Sequence, residues 1–313
     1  MTTYDEALHP RGQAGNAGQY REKRNDAPTA QLDGVQLPVF TPDDVRNTDH
    51  TIDIIREHIL AGDRVSGFHE LDSDTDGNTV VEWEWTSQYF GGNTTYRERA
   101  TIDDRGEILT RQSQGPGGHW FAADMHGDEA AALRMKVNEA RLAMAGVRIH
   151  GQANDGGPYG RKFVGGRVDQ SNGGWANATN VSAAVRKQIA AAIEWGALPG
   201  EYDYRVKTSK FAGGQAIDIV VEGMPDSKHF AERQEGYAHG SSAHVREVTQ
   251  VLELIGNQWN TDASDLMTDY FDVTYYLNVQ VDDERMAEFR AKQREIAAAK
   301  RRAKKDAVKG AAA

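Results

Sequence analysis

Residues 79–89 read Thr-Val-Val-Glu-Trp-Glu-Trp-Thr-Ser-Gln-Tyr. On an extended chain Val81, Trp83 and Trp85 fall on one side, and Val80, Glu82 and Glu84 on the other. Side chains alternate between the faces of a strand, so this is a β pattern with one face buried. Turn signals surround it. Asp72–Asn78 precedes it, Gly91-Gly92-Asn93 follows, and Asp103–Gly106 comes next. The runs between these turns, Ser66–Leu71, Thr94–Ile102 and Glu107–Ser113, read as three more strands of an antiparallel meander. Gly115–Gly118 is expected to end the sheet.

Helices flank the meander. Thr41 is a helix cap, Pro42 suits a first turn, and Ile52, Ile55, Ile59 and Leu60 recur on one face, so one helix is expected over Thr41–Leu60. A second, rich in Ala, Leu and Met, is expected over Asp128–Ala145. Residues 41–150 thus read as a helix–four-stranded sheet–helix domain. Residues 151–179 are rich in Gly, Asn and Asp and read as a linker. Residues 180–281 read as a second domain: a helix over Val181–Trp195, a hairpin of Tyr202–Thr208 and Gln215–Val221, a helix over Val245–Ile255 and a strand over Tyr270–Val281. Residues 1–40 carry spaced Gly and Pro and read as a flexible N-terminal arm. Residues 282–313 read as a basic helical tail. The class is α+β, with two small domains, each an antiparallel sheet with helices.

The chain has 313 residues and no cysteine, which excludes disulfides and thiolate chemistry. Neither a secretory leader nor a membrane-spanning run of about 18 apolar residues is evident, so a cytoplasmic protein without a membrane partner is expected. Net charge is −11. From Met286 onward nine Lys/Arg face three acids, a net of +6, which leaves −17 for the rest. An acidic body with a basic tail points to an anionic partner for the tail and repels nucleic acid elsewhere.

Two constellations bear on binding. Arg205, Lys207 and Lys210 lie on and after one strand, with Phe211 and two glycines at its tip; a basic strand with an aromatic tip suits contact with phosphates and a base. Lys300, Arg301, Arg302, Lys304 and Lys305 cluster in the tail. Other patterns are weaker. Asp72, Asp74, Asp76 and Gly77 resemble the start of a calcium loop, but the twelfth position is Trp83, so a polar turn is the better reading. His119, Asp124 and His126 form a His/Asp cluster without a standard metal spacing. Ser241 and Ser242 lie beside His239 and His244, without a nucleophile elbow; Ser242 is read as a helix cap. Gly156–Lys162 and Gly165–Arg167 lack the spacing of phosphate-binding loops. No catalytic residue, metal or cofactor is assigned.

Val185-Arg186-Lys187-Gln188-Ile189, Leu198-Pro199, Tyr204-Arg205-Val206-Lys207-Thr208-Ser209-Lys210-Phe211-Ala212-Gly213-Gly214, Ile217-Asp218-Ile219-Val220-Val221 and Gly223-Met224-Pro225 follow one another in the second domain. With them, residues 181–281 resemble large polyvalent protein-associated domain 29, a module of large polyvalent proteins of phages and conjugative elements. His9-Pro10-Arg11-Gly12 and Gln19-Tyr20-Arg21-Glu22-Lys23 resemble openings of actinobacterial plasmid and actinophage proteins. The resemblance implies a setting alongside mobile DNA and carries no catalytic residues with it. The expectation is a non-enzymatic accessory protein that binds DNA or a DNA-associated host protein. The alternatives are an inhibitor of host defence that uses an acidic, DNA-mimicking surface, and a structural or packaged phage protein.

Overall fold

The computed structural model describes residues 40–61, 65–71, 73–89, 92–115, 117–122, 128–149, 154–155, 161–168, 176–230, 241–262, 264 and 272–311. The single helix expected over Thr41–Leu60 is two, α1 (Pro42–Val45) and α2 (Thr48–Leu60). Asn47 causes the break. Its amide donates to the Asp44 carbonyl at 2.8 Å, and its side-chain oxygen accepts from the His50 N–H at 2.8 Å. It therefore finishes one helix and caps the next.

Strands β1 (Val65–Leu71), β2 (Thr79–Tyr89), β3 (Gly92–Ile102), β4 (Ile108–Gln114) and β5 (Trp120–Ala122) form one antiparallel sheet in chain order. The sheet has a fifth strand because the Gly115–Gly118 segment is a hairpin turn: Gly115 N–H donates to the His119 carbonyl at 3.0 Å and returns the chain as β5. Val81 and Trp83 are buried, as the alternation requires. They pack with Ala100, Ile102 and Ile108, with Ile52 and Ile55 of α2, and with Leu133 and Val137 of α3 (Asp128–Met144). At the edge of this core the buried Glu98 carboxylate accepts from Trp85 Nε1 at 2.8 Å and from Arg111 Nε at 2.9 Å. In the turn before β2, Asp74 Oδ1 accepts from the N–H groups of Asp76 and Asn78, each at 2.9 Å. This is a polar Asx-type turn.

Strands β6 (Asn154–Asp155) and β7 (Arg161–Val164) lie in the Gly-rich segment. Helix α4 (Ala178–Glu194) leads into the hairpin of β8 (Asp203–Phe211) and β9 (Gly214–Glu222), followed by α5 (Asp226–His229) and α6 (Ala243–Gly256). Strand β10 (Thr261–Asp262) pairs with β7, and the Arg167 N–H donates to the Gln258 carbonyl at 2.7 Å, so this part of the segment is tied to the end of α6. Strand β11 (Tyr276–Val281) adds to β9. It is shorter than expected and runs parallel to β9, since a helical crossover through α6 returns the chain to the same end of the sheet. The second sheet, in the order β11-β9-β8, is therefore mixed, within an α+β fold. Ile217, Ile219 and Val221 project from it into a core with α4 and α6, which Leu142 of α3 also enters. Helix α7 (Glu284–Ala311) follows β11. Among the described residues no helix is long and apolar enough to cross a membrane.

Candidate functional site

The outer face of the second sheet carries the basic residues singled out in the sequence. Arg205, Lys207 and Ser209 stand opposite Val220, Asp218 and Ala216 of β9, on the side away from Tyr204 and Val206. They do not form one free cationic patch. Arg205 is ion-paired with Asp203 and, at 3.0 Å, with Glu222. Arg294 of α7 grips the same Glu222 carboxylate through two contacts, at 2.5 and 2.9 Å. One turn earlier, Arg290 pairs with Asp282 at 2.6 Å and donates to the Gln280 side chain at 2.7 Å. These contacts tie α7 to β11 and to the end of β9, where Glu222 also holds Arg205 of β8. Arg205, Arg290 and Arg294 thus hold the fold together.

Lys207, Lys210 and Phe211 remain exposed. The Phe211 ring sits 5.8 Å from the half-exposed Tyr276 ring. A Cβ at Gly214 would come within 2.9 Å of the Phe211 ring, so glycine leaves room for that aromatic pair. From Glu295 to Arg302 every residue of α7 is exposed, including Lys300, Arg301 and Arg302. Lys304 and Lys305 continue the helix, with side chains outside the described residues.

Burial works against ionisation of Glu222, but the Arg294 and Arg205 guanidinium groups outweigh it and hold the carboxyl below the ordinary glutamate value. A carboxylate depressed in the folded chain contributes stability above its unfolded pKa, about 4.3. That contribution is lost as pH falls through the folded value. The stability deficit of Glu222→Gln against the parent should therefore shrink between about pH 6 and about pH 3, read from urea midpoints. A constant deficit over that range would show that the ion bridge adds no stability.

A second constellation was not legible in sequence. The turn between β3 and β4, the end of α1, helices α3 and α6, and the loop after α4 enclose a cleft of about 410 Å³. Arg141 of α3 lies against it, only 1% exposed. Its guanidinium donates to Glu107 Oε1 at 2.8 Å, to the Gly196 carbonyl at 3.0 Å and to the Gly106 carbonyl at 3.2 Å. Two turns earlier on the helix, Arg134 pairs with Glu247 of α6 at 2.6 Å. Burial pushes the Glu247 carboxyl above its ordinary value, against the pull of Arg134.

His244 also lines the cleft, and its Nε2 is 2.9 Å from the Tyr202 hydroxyl. Burial, then Lys228, lowers the His244 pKa, and burial raises that of Tyr202. A neutral imidazole accepting from a phenol follows at neutral pH. Lys228 lies 5.9 Å from the Tyr202 ring centroid and 3.3 Å from Glu201.

The remaining sequence candidates are not drawn into this cleft. His119 is exposed beyond β4; Asp124, His126 and His239 lie outside the described residues. Ser242 caps α6, its hydroxyl accepting from the Val245 N–H at 3.1 Å while it donates to the Lys228 carbonyl. Comparison of the chain with family models, with curated proteins and with solved structures found no match.

Proposed function

We propose that the chain is a non-enzymatic accessory protein that binds nucleic acid through the projecting half of α7. The carrying observation is the division of labour along that helix. Arg290 and Arg294 anchor it to the sheet, and the residues from Glu295 to Arg302 stand clear of the body. From Ile296 onward six Lys/Arg face one acid. At 1.5 Å per residue the stretch from Glu295 to Ala311 extends about 24 Å. A helical rod of cations held at the edge of an acidic molecule meets phosphates, while the body resists broader contact. Lys207, Lys210 and Phe211 supply a smaller exposed basic and aromatic surface on the hairpin. The resemblance of residues 181–281 to a module of mobile-element proteins supports the same reading.

Glutamine at Lys300, Arg301, Arg302, Lys304 and Lys305 removes five charges without touching the anchoring arginines. Each phosphate contact contributes about 0.9 to the slope of log affinity against log salt on duplex DNA. The parent should therefore bind with a steep salt dependence, and the variant's slope should be shallower, by up to about 4.5 if all five charges meet phosphates. Equal slopes would overturn the assignment to α7. No binding by the parent at low salt would overturn the nucleic-acid reading itself.

A further inference from the structure

The charges around the cleft do not cancel. Arg134 is paired with Glu247, Arg141 with Glu107 and Lys228 with Glu201. Arg46 and Arg105 also line it, both exposed, and neither has a carboxylate partner among the described residues. The cleft is thus left with two positive charges in a chain whose net charge is −11. His244 adds none while it is neutral. Arg46 is held in position by packing: its stem lies so close to Gly196 that a Cβ there would come within 3.0 Å of Arg46 Cγ. Arg105 is presented by the β3–β4 turn, where Asp103 Oδ1 accepts its backbone N–H at 3.0 Å.

We infer that this cleft binds a small phosphorylated organic molecule, with Arg46 and Arg105 meeting the phosphate. A phosphate monoester carries a charge of about −1.5 to −2 at pH 7, which matches the unpaired charge of the cleft. Planar guanidinium forks are the side chains best suited to it. The volume of about 410 Å³ exceeds what a phosphate alone fills and lies within the usual range of small-ligand sites. Ile108, Val137, Ile193, Leu198 and Val248 give the organic part an apolar wall. The Arg134–Glu247 pair and His244, which line the cleft, are polar groups already fixed by their partners, so binding requires little reordering.

This inference is separate from nucleic-acid binding by α7, and its test keeps the two apart. The probe is phenyl phosphate, with inorganic phosphate and benzoate as comparison arms. Binding is read by calorimetry and by NMR shifts of the Arg105, Gly106 and Gly196 amides. Phenyl phosphate should bind saturably and more tightly than inorganic phosphate. The Arg46→Gln/Arg105→Gln double variant should lose about tenfold or more in affinity. The five-glutamine α7 variant should bind phenyl phosphate like the parent. Both replaced arginines are exposed, and an unchanged circular dichroism spectrum and melting temperature would certify the fold of the double variant. Absence of saturable binding, or equal binding by the double variant, would overturn the site. Benzoate binding as tightly as phenyl phosphate would overturn the phosphate assignment.

Discussion

Gly106→Ala is expected to lower the stability of the chain by about 3–4 kcal/mol, combining the costs of left-handed backbone strain and steric overlap. Gly106 has φ +73°, in the left-handed region. A Cβ there would lie 2.4 Å from the Asn47 carbonyl oxygen and 2.6 Å from Thr51 Oγ1. The nearer obstacle is backbone at the start of α2, so no side-chain rotation relieves it. Retreat of the turn would also break contacts that hold it: Thr51 Oγ1 donates to the Gly106 carbonyl at 2.8 Å, and Thr48 Oγ1 to the Asp103 carbonyl at 2.7 Å. Gly77→Ala is the matched control. Gly77 has φ +84°, with nothing within 4 Å of its Cβ position. It should show the conformational cost alone, about 1–2 kcal/mol. Urea unfolding of both variants measures the difference, and equal losses would mean that the contact with Asn47 relaxes without cost.

Arg141→Met is expected to cost about 2–4 kcal/mol, as buried carbonyls lose a charged donor. The side chain is buried, and its guanidinium spans the turn at Gly106 and the end of α4 at Gly196. Methionine fills much of the volume and replaces none of these bonds. The Gly106 carbonyl keeps its bond from Thr51, whereas the Gly196 carbonyl loses the donor that Arg141 provided. The exposed Glu107 carboxylate returns to water in that variant, whereas Glu107→Gln leaves the guanidinium its two carbonyl contacts and a side-chain oxygen to donate to, so it should cost less than Arg141→Met. Arg141→Lys should recover little, because an ammonium group cannot reproduce the fork. Denaturant midpoints, with hydrogen exchange at Gly106 and Ala197, distinguish these cases. A Met variant as stable as Glu107→Gln would show that water replaces the guanidinium at both carbonyls.

The first sheet was legible because its alternation is local. Val81 and Trp83 face a core while Glu82 and Glu84 do not, and Asp and Gly mark the turns. Asn47 was hidden inside a strong helical pattern, although its residue type is that of a cap. β5 was missed because only three residues follow a glycine turn that resembles a stop. The direction of β11 is set by a crossover rather than by its own residues. Arg205 and Lys207 look alike along the strand, yet among the described residues Arg205 alone of the two is ion-paired, with its neighbour Asp203 and with Glu222, 17 residues away across the hairpin. The cleft was the least legible part. Its charges come from six separate stretches between Arg46 and Glu247, and pairing across such distances leaves no mark in local spacing.

Helix α3 gives Leu133 and Val137 to one core and Leu142 to the other. A chain cut within the Gly-rich segment at 151–160 would strip the packing from Leu142 and Val147, and a cut before α3 would unroof Val81 and Trp83. Neither half is therefore a cassette that recombination can pass on intact. Any exchange between such proteins must carry α3 with both of its neighbours, so the halves are expected to be inherited together.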